Sequence, residues 1–258
     1  MSDTVEYDSF KTAMLEGIIS IDAAIKSGLR NVLKVYIDKE KHDKRDRKIT
    51  RFLSKLKQND IDFQLCSRDY IDSIADGNTH GGVIALVSER KYADFNEFIS
   101  SLGQNDYAVF LDGVEDPFNF GYSIRNLFAF GCKGFILPQR NWMSASNIVA
   151  KASAGASELC DMTVAPDDET ALKILRDNKI SVVCAGLSHD SVSLFDFIPP
   201  TPFVLFIGGE KRGISKLFYE NADKIVHIPY SNEDASYSLP TASCAAIFGS
   251  FISKKRKL

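Results

Sequence analysis

The run Phe203-Val204-Leu205-Phe206-Ile207-Gly208-Gly209-Glu210-Lys211-Arg212-Gly213 decides the fold class. Five consecutive apolar residues form a strand with no polar face. Such a strand belongs in a parallel sheet covered by helices on both sides. The glycines that follow allow backbone to approach a ligand closely. They do not spell a dinucleotide or Walker fingerprint, because neither GxGxxG nor GxxxxGK[ST] is present.

Working outward, the same pattern continues. Downstream come a helix near 215–221, a strand at 224–228 and a final helix over about 241–253. Upstream, strands are predicted at 107–111, 134–137 and 180–185, and helices at 120–130 and 168–177. The small-residue stretch 143–157 reads as helical in part. Strands alternating with helices predict an α/β domain with a mostly parallel sheet.

The N-terminal third reads as a smaller α/β unit in the order α-β-α-β-α-β. Its predicted helices are 8–28, 43–58 and 69–75, and its strands are 32–37, 61–65 and 82–87. In the first helix Ala13, Leu15, Ile18, Ile21 and Ile25 supply apolar positions, Asp8 or Ser9 the cap, and Gly28 the stop. The expected organisation is therefore residues 1–90 as one domain, 91–104 as a linker with a short helix near 94–101, and 105–258 as the second domain.

Composition narrows the function. A 258-residue chain that is 45% hydrophobic can bury a sizeable core. A net charge of −3 excludes a uniformly basic nucleic-acid binder, though not a local basic patch. Such a patch is offered by Lys39–Arg51, with seven Lys or Arg against three acids, and by the tail Lys254-Lys255-Arg256-Lys257. A solvated helix face has the same composition. Five cysteines without CxxC spacing and four scattered histidines give no disulfide framework and no metal site, which points to a reducing, cytoplasmic compartment. The N-terminus does not read as a signal peptide, and no apolar run approaches the length of a membrane span.

Three segments that follow strands carry the candidate chemistry, because open α/β sheets bind ligands beyond their strands' carboxyl ends. The first runs from Asp112 to Arg125; Asn119 is placed to cap the following helix, and Arg125 sits in its second turn. A fixed guanidinium there suits a phosphate or a developing oxyanion. An ordinary βα loop with a surface arginine has the same spacing. The second is the glycine-rich turn 208–213. The third is Ile228-Pro229-Tyr230, a polar loop, and then Ser238-Leu239-Pro240-Thr241-Ala242-Ser243-Cys244. Taken alone, its small residues also suit close helix–sheet packing.

In their order and spacing the three segments resemble the motifs of the SpoU/TrmH RNA methyltransferases. Asn119, Gly121 and Arg125 match N-x-G-x-x-x-R, and Gly208, Glu210 and Gly213 match G-x-E-x-x-G. The third motif departs from the common S-L-N-V-S-V-A: Pro240 replaces its asparagine and Ala242 its second serine. Hydrogen bonds from that asparagine are lost or come from Thr241 or Ser243. The resemblance covers about residues 106–255, and Lys151–Ala156 is similar to the family's small-residue segment. The N-terminal unit is similar to the ribosomal-protein-like substrate domain of many members, through Gly17, Ala24 and His80–Val83.

The resemblance implies a C-terminal trefoil knot that holds S-adenosylmethionine, and a homodimer that completes each site. It implies a cofactor site at Ala185, Gly186, Leu187, Ile207, Gly208, Gly209, Ile228 and Leu239. It implies methyl transfer to a ribose 2′-hydroxyl, with Arg125, Asn119, Glu210 and Ser238 as the catalytic set. An arginine, with a solution pKa above about 12, is better suited to orienting the hydroxyl and stabilising an alkoxide than to acting as a base. The substrate domain favours rRNA over tRNA. Two other readings stand beside this one: a non-catalytic RNA-binding or ribosome-associated protein retaining the fold, which Pro240 favours, and a different α/β transferase whose Gly208-Gly209 cradles phosphate.

Overall fold

The computed structural model describes residues 12–77, 79–139, 146–232 and 238–256. In chain order the first elements are β1 (Thr12–Glu16), α1 (Ile18–Ser27), β2 (Val32–Asp38), α2 (Lys39–Asp43), α3 (Arg47–Gln58), β3 (Phe63–Cys66), α4 (Arg68–Ile74) and β4 (Val83–Ser88). Next come α5 (Phe95–Ser100), β5 (Tyr107–Asp112), α6 (Pro117–Ala129), β6 (Gly134–Leu137), α7 (Ser146–Ala152), α8 (Ala156–Leu159) and β7 (Asp161–Val164). The chain continues with α9 (Asp168–Asp177), β8 (Ser181–Ala185), β9 (Val192–Ser193), β10 (Phe203–Gly208), α10 (Lys216–Glu220), β11 (Lys224–His227) and α11 (Thr241–Arg256).

These elements form two compact units, residues 12–91 with 146–159, and residues 92–139 with 160–256. The first unit contains a sheet of order β1-β4-β2-β3, antiparallel except for the β2–β3 pair. Its core gathers Leu15, Ile21, Val35, Ile37, Phe52, Leu56, Val83 and Val87. Arg30 and Glu158 are buried within it and paired at 2.8 Å, so α8 is tied to the start of β2 by a charge pair shielded from water.

Three expectations need correcting here. Residues 12–16 are a strand, not the start of a helix: Thr12 to Glu16 pair with Ser88 to Ile84. Gly17, at φ 83, separates this strand from α1, whose end at Gly28 is left-handed as expected. A strand running into a helix mimics helical spacing when apolar residues happen to fall at both periods. The proposed caps Asp8 and Ser9 lie outside the described residues. Residues 91–104 are not a free linker, because Phe95, Phe98, Ile99 and Leu102 are buried in the second unit's core. The second domain is not continuous from 105, because α7 and α8 pack with the first unit. Their small residues explain this: a Cβ on Gly155 would meet Ala23 and the backbone of Ile19 at 2.9 and 3.1 Å, so only glycine lets α1 approach so closely.

The second unit is built on a sheet of order β7-β6-β5-β10-β8-β11-β9, parallel at every pairing. The chain moves outward from β5 to β6 and β7, returns on the other side to make β8, and lays β10 between β5 and β8. The opening run explains the central place of β10: Phe203 to Ile207 are all buried. Register sets Phe203 beside Tyr107 and Phe206 beside Phe110, and both pairs stack, at 5.5 and 4.9 Å between ring centres. Aromatic pairs of this kind add to the burial that holds neighbouring strands. Phe218 of α10 closes over Phe206 at 4.6 Å. The strands β7 and β9 were not anticipated, since four and two residues carry little periodicity.

Candidate functional site

The reversal of strand order in this parallel sheet places the carboxyl ends of β8, β10 and β11 together, and a cavity of about 820 Å³ opens there. That volume is within the usual range for a small-molecule site, roughly 300–1,000 Å³. All eight expected cofactor positions line it: Ala185, Gly186, Leu187, Ile207, Gly208, Gly209, Ile228 and Leu239. Glu210 and Ser238 line it as well.

Backbone contacts between loops shape this wall. The N–H of Gly209 donates to the Asp112 carbonyl at 2.6 Å, and the Asp112 carboxylate accepts from the Ser215 N–H at 2.7 Å. A Cβ on Gly209 would overlap the Gly113 carbonyl, and one on Gly208 would meet the Gly213 backbone at 2.5 Å. Neither position tolerates a side chain, because rigid main chain faces it. Opposite, a Cβ on Gly186 would meet the Tyr219 ring at 2.9 Å, and the Tyr219 hydroxyl donates to the Leu187 carbonyl at 3.1 Å. The glycines thus bring the loops of the wall into close contact, and apolar side chains such as Leu187, Ile207, Ile228 and Leu239 complete the cavity lining.

The third segment enters beside them. Pro240 precedes the first residue of α11 and its carbonyl accepts from the N–H groups of Ser243 and Cys244. This suits a residue that lacks a donor of its own. Thr241 Oγ1 donates to the Gly208 carbonyl at 3.2 Å. A hydroxyl one position past the missing asparagine therefore links this segment to the glycine turn. Cys244 also lines the cavity, and burial raises its thiol above the ordinary range.

The expected catalytic residues divide between two places. Asn119 and Glu210 meet, with the Asn119 amide donating to Oε1 of Glu210 at 3.0 Å, beside a smaller hollow of about 310 Å³ shared with Glu115, Asp116 and Thr241. Asn119 is not the cap of α6. Asp116 fills that role, accepting from the Asn119 N–H at 2.7 Å, with Pro117 opening the helix. The shorter carboxylate sits three residues before the amide it accepts from, the usual capping distance. Arg125 is exposed and stands elsewhere, in a shallow hollow with Tyr122, Asn126, Ala242, Ser243 and Ala246 on the paired faces of α6 and α11. It does not line the cavity of its own chain.

Tyr230 had no assigned role in the sequence, yet its hydroxyl accepts from the Leu239 N–H at 3.1 Å in the cavity wall. The only local signal was its place after Ile228-Pro229. His227 and Tyr219 line the same cavity, and neither stands in any of the three motifs.

Comparison with known proteins agrees with this architecture. The family model "RNA 2′-O ribose methyltransferase substrate binding" matches residues 14–93. A relative in Shewanella oneidensis, named 23S rRNA (guanosine-2′-O-)-methyltransferase RlmB, is 25% identical over 240 residues, covering 92% of this chain and 96% of the relative. The Escherichia coli protein of the same name is 27% identical over 238 residues, covering 91% and 96%. Among solved structures, an AdoMet-bound rRNA methyltransferase from Sinorhizobium meliloti superimposes with a TM-score of 0.76 at 22% identity, covering 96% of this chain and 88% of its own. The SpoU methyltransferase AviRb from Streptomyces viridochromogenes gives a TM-score of 0.76 at 19% identity over 95% and 90%. The model described as the SpoU rRNA Methylase family matches residues 84–248, well over half the chain, and this protein belongs to that family.

Proposed function

We propose that this protein transfers a methyl group from S-adenosylmethionine to a ribose 2′-hydroxyl of ribosomal RNA. The observation that carries the reading is the cavity at the ends of β8, β10 and β11, with its glycine-built wall and the eight expected residues around it. A site of this size, with close-packed glycine turns on one wall and apolar side chains around it, fits an adenosine-bearing ligand, since a purine takes a largely apolar slot with a few polar groups at its edge. Gly208, Ile228 and Leu239 would hold the adenosine part, and Ala185 to Leu187 the facing wall. When bound, the cofactor supplies a methyl group activated by its sulfonium charge. The relatives' names, which specify 23S rRNA, support ribosomal RNA as substrate.

The protein's own groups position the acceptor. The guanidinium of Arg125 is permanently charged and planar, so it binds a phosphate next to the target ribose and stabilises the alkoxide as it forms. Glu210, held by Asn119, fixes the glycine turn against the first turn of α6. Ser238 contributes a hydroxyl at the cavity mouth.

The position of Arg125 bears on assembly. It shares the α6–α11 face with Tyr122, which is 44% exposed, and Phe118 of α6 is 52% exposed. Large exposed apolar side chains around a polar group mark a contact surface. In a symmetric homodimer through this face, each Arg125 serves the partner's cavity. The place of β10 between β5 and β8, with α11 packed on α6, is compatible with a knotted C-terminal segment. Pro240 favours the reading of an inactive relative, but the Thr241 link to Gly208 supplies a substitute contact.

The test is transfer of labelled methyl from S-adenosylmethionine to deproteinised rRNA, with mapping of the modified ribose. Arg125→Ala is expected to lower turnover by about 10²-fold or more while cofactor affinity stays within about twofold of the parent. Full turnover in that variant, or a protein that sediments as a monomer while active, overturns the assignment.

A further inference from the structure

Within the first unit, α2 and α3 frame a broad hollow of about 840 Å³ that none of the three motifs reaches. It is lined by His42, Asp43, Arg45, Arg47, Thr50, Arg51, Ser54 and Lys57, with Leu53 beneath. Sequence alone left this segment undecided, because acids alternate with the bases. The structure shows where those acids go. Glu40 pairs with Lys44 at 3.2 Å, and Asp43 with His42 at 3.1 Å. Asp46 caps α3, accepting from the N–H groups of Lys48 and Ile49 at 2.8 and 3.1 Å, and these bonds hold its carboxyl below the ordinary range. Each acid is occupied within its own helix or turn.

The bases of the hollow are left over. Arg45, Arg47, Arg51 and Lys57 are exposed, and none makes a side-chain hydrogen bond or ion pair among the described residues. The contrast lies in the same unit, where Lys55 pairs with Asp22, Lys34 with Asp62 and Arg68 with Asp72. The helix explains the clustering. Ile49, Phe52, Leu53 and Leu56 face the core, which turns Arg47, Arg51, Ser54 and Lys57 toward solvent on the other side. Arg45 joins them from the α2–α3 turn, where its backbone has φ 55. The result is a hollow lined by three forked donors and one ammonium, while the Thr50 and Ser54 hydroxyls between them donate to carbonyls of their own helix turn. That chemistry matches a run of phosphates.

We propose that this hollow binds the phosphate backbone of the RNA substrate, giving the first unit an anchoring point of its own. The proposal rests on the RNA methyltransferase reading above. Phosphate contacts of this kind fix position and carry no base specificity. They therefore act on substrate affinity and leave chemistry unchanged.

The test uses the full chain and deproteinised rRNA, with affinity measured between 50 and 200 mM KCl. The variant Arg45→Gln/Arg47→Gln/Arg51→Gln/Lys57→Gln is compared with Lys133→Gln/Lys173→Gln/Lys179→Gln/Lys224→Gln, which removes equal charge from exposed positions of the second unit. The first variant is expected to bind RNA about tenfold or more weaker and to lose roughly 3 from the slope of log affinity against log salt. It should raise the KM for RNA, keep kcat at saturating RNA, and bind S-adenosylmethionine as before. The second variant should change RNA affinity by about twofold at most. If the first variant binds RNA with unchanged affinity and slope, the hollow is not a phosphate site and the proposal fails. If polyglutamate displaces rRNA from the parent protein at equal charge, the hollow is a general acidic-polypeptide site and the RNA assignment fails. A parent protein that neither binds nor methylates rRNA overturns the functional reading itself, and the two failures are thereby told apart.

Discussion

The side-chain amide of Asn119, in the first turn of α6, donates to Glu210 at 3.0 Å, joining that helix to the glycine turn 91 residues further along the chain. The bond is exposed, so its contribution to stability is small, on the order of 1 kcal/mol or less. Its consequence is positional. It holds the first turn of α6 against the glycine turn after β10, where Glu210 lines both the cavity and the smaller hollow.

Glu210→Ala is accordingly expected to separate activity from stability. Methyl transfer should fall about tenfold to a hundredfold, since small misplacements of reacting groups are costly, and the melting temperature should move by only a degree or two. Radiolabel transfer and thermal unfolding on the same sample check this. A large drop in melting temperature with proportionate loss of activity shows that the bond is structural instead.

The Tyr230–Leu239 contact gives a second expectation. Leu239 lines the cavity, and its N–H is already occupied by the Tyr230 hydroxyl at 3.1 Å. A purine edge that needs this amide must displace the phenol. Tyr230→Phe removes the competitor, and cofactor affinity measured by calorimetry should rise about threefold, equivalent to part of one net hydrogen bond. A weaker affinity shows that the hydroxyl helps hold the ligand.

The first unit should lose stability in acid through Glu16. Burial pushes its carboxyl up, but the Lys151 ammonium, the Asp76 N–H and Asn147 outweigh this and leave it below the ordinary value of 4.5. A carboxyl depressed in the folded state adds stability above its unfolded pKa and loses it as pH falls through the folded value. The contribution is thus full above about pH 4.5 and fades below it. Lys151→Met leaves a buried carboxylate without its partner, 2.7 Å away, and should cost about 3 kcal/mol near pH 7. Urea unfolding at pH 7 and at pH 3.5 measures both, and the gap between parent and variant should narrow at the lower pH.

Much of the second unit was legible because its strands are short apolar runs ended by glycine or polar turns. The runs 107–111, 134–137 and 203–207 match β5, β6 and β10 to within a residue. Periodicity failed at β1, where five strand residues lead through Gly17 into a helix, and at β7 and β9, which are too short to carry a period. The assignment of α7 and α8 to the first unit was also hidden, because Gly155 and its small neighbours signal close approach without naming what approaches.

The sequence by itself determined the element types, the three motif segments and the glycines that no other residue can replace, since these depend on local propensity and on steric limits at single positions. Only the tertiary structure decided which groups meet. It brought Glu210 to Asn119, set Tyr230 against Leu239, placed Arg125 away from its own chain's cavity, and occupied the acids of α2 and α3 so that Arg45, Arg47, Arg51 and Lys57 remain open. The reason is physical: hydrogen bonds and ion pairs act over a few ångströms, and the separations that bring them within range are set by strand order and packing.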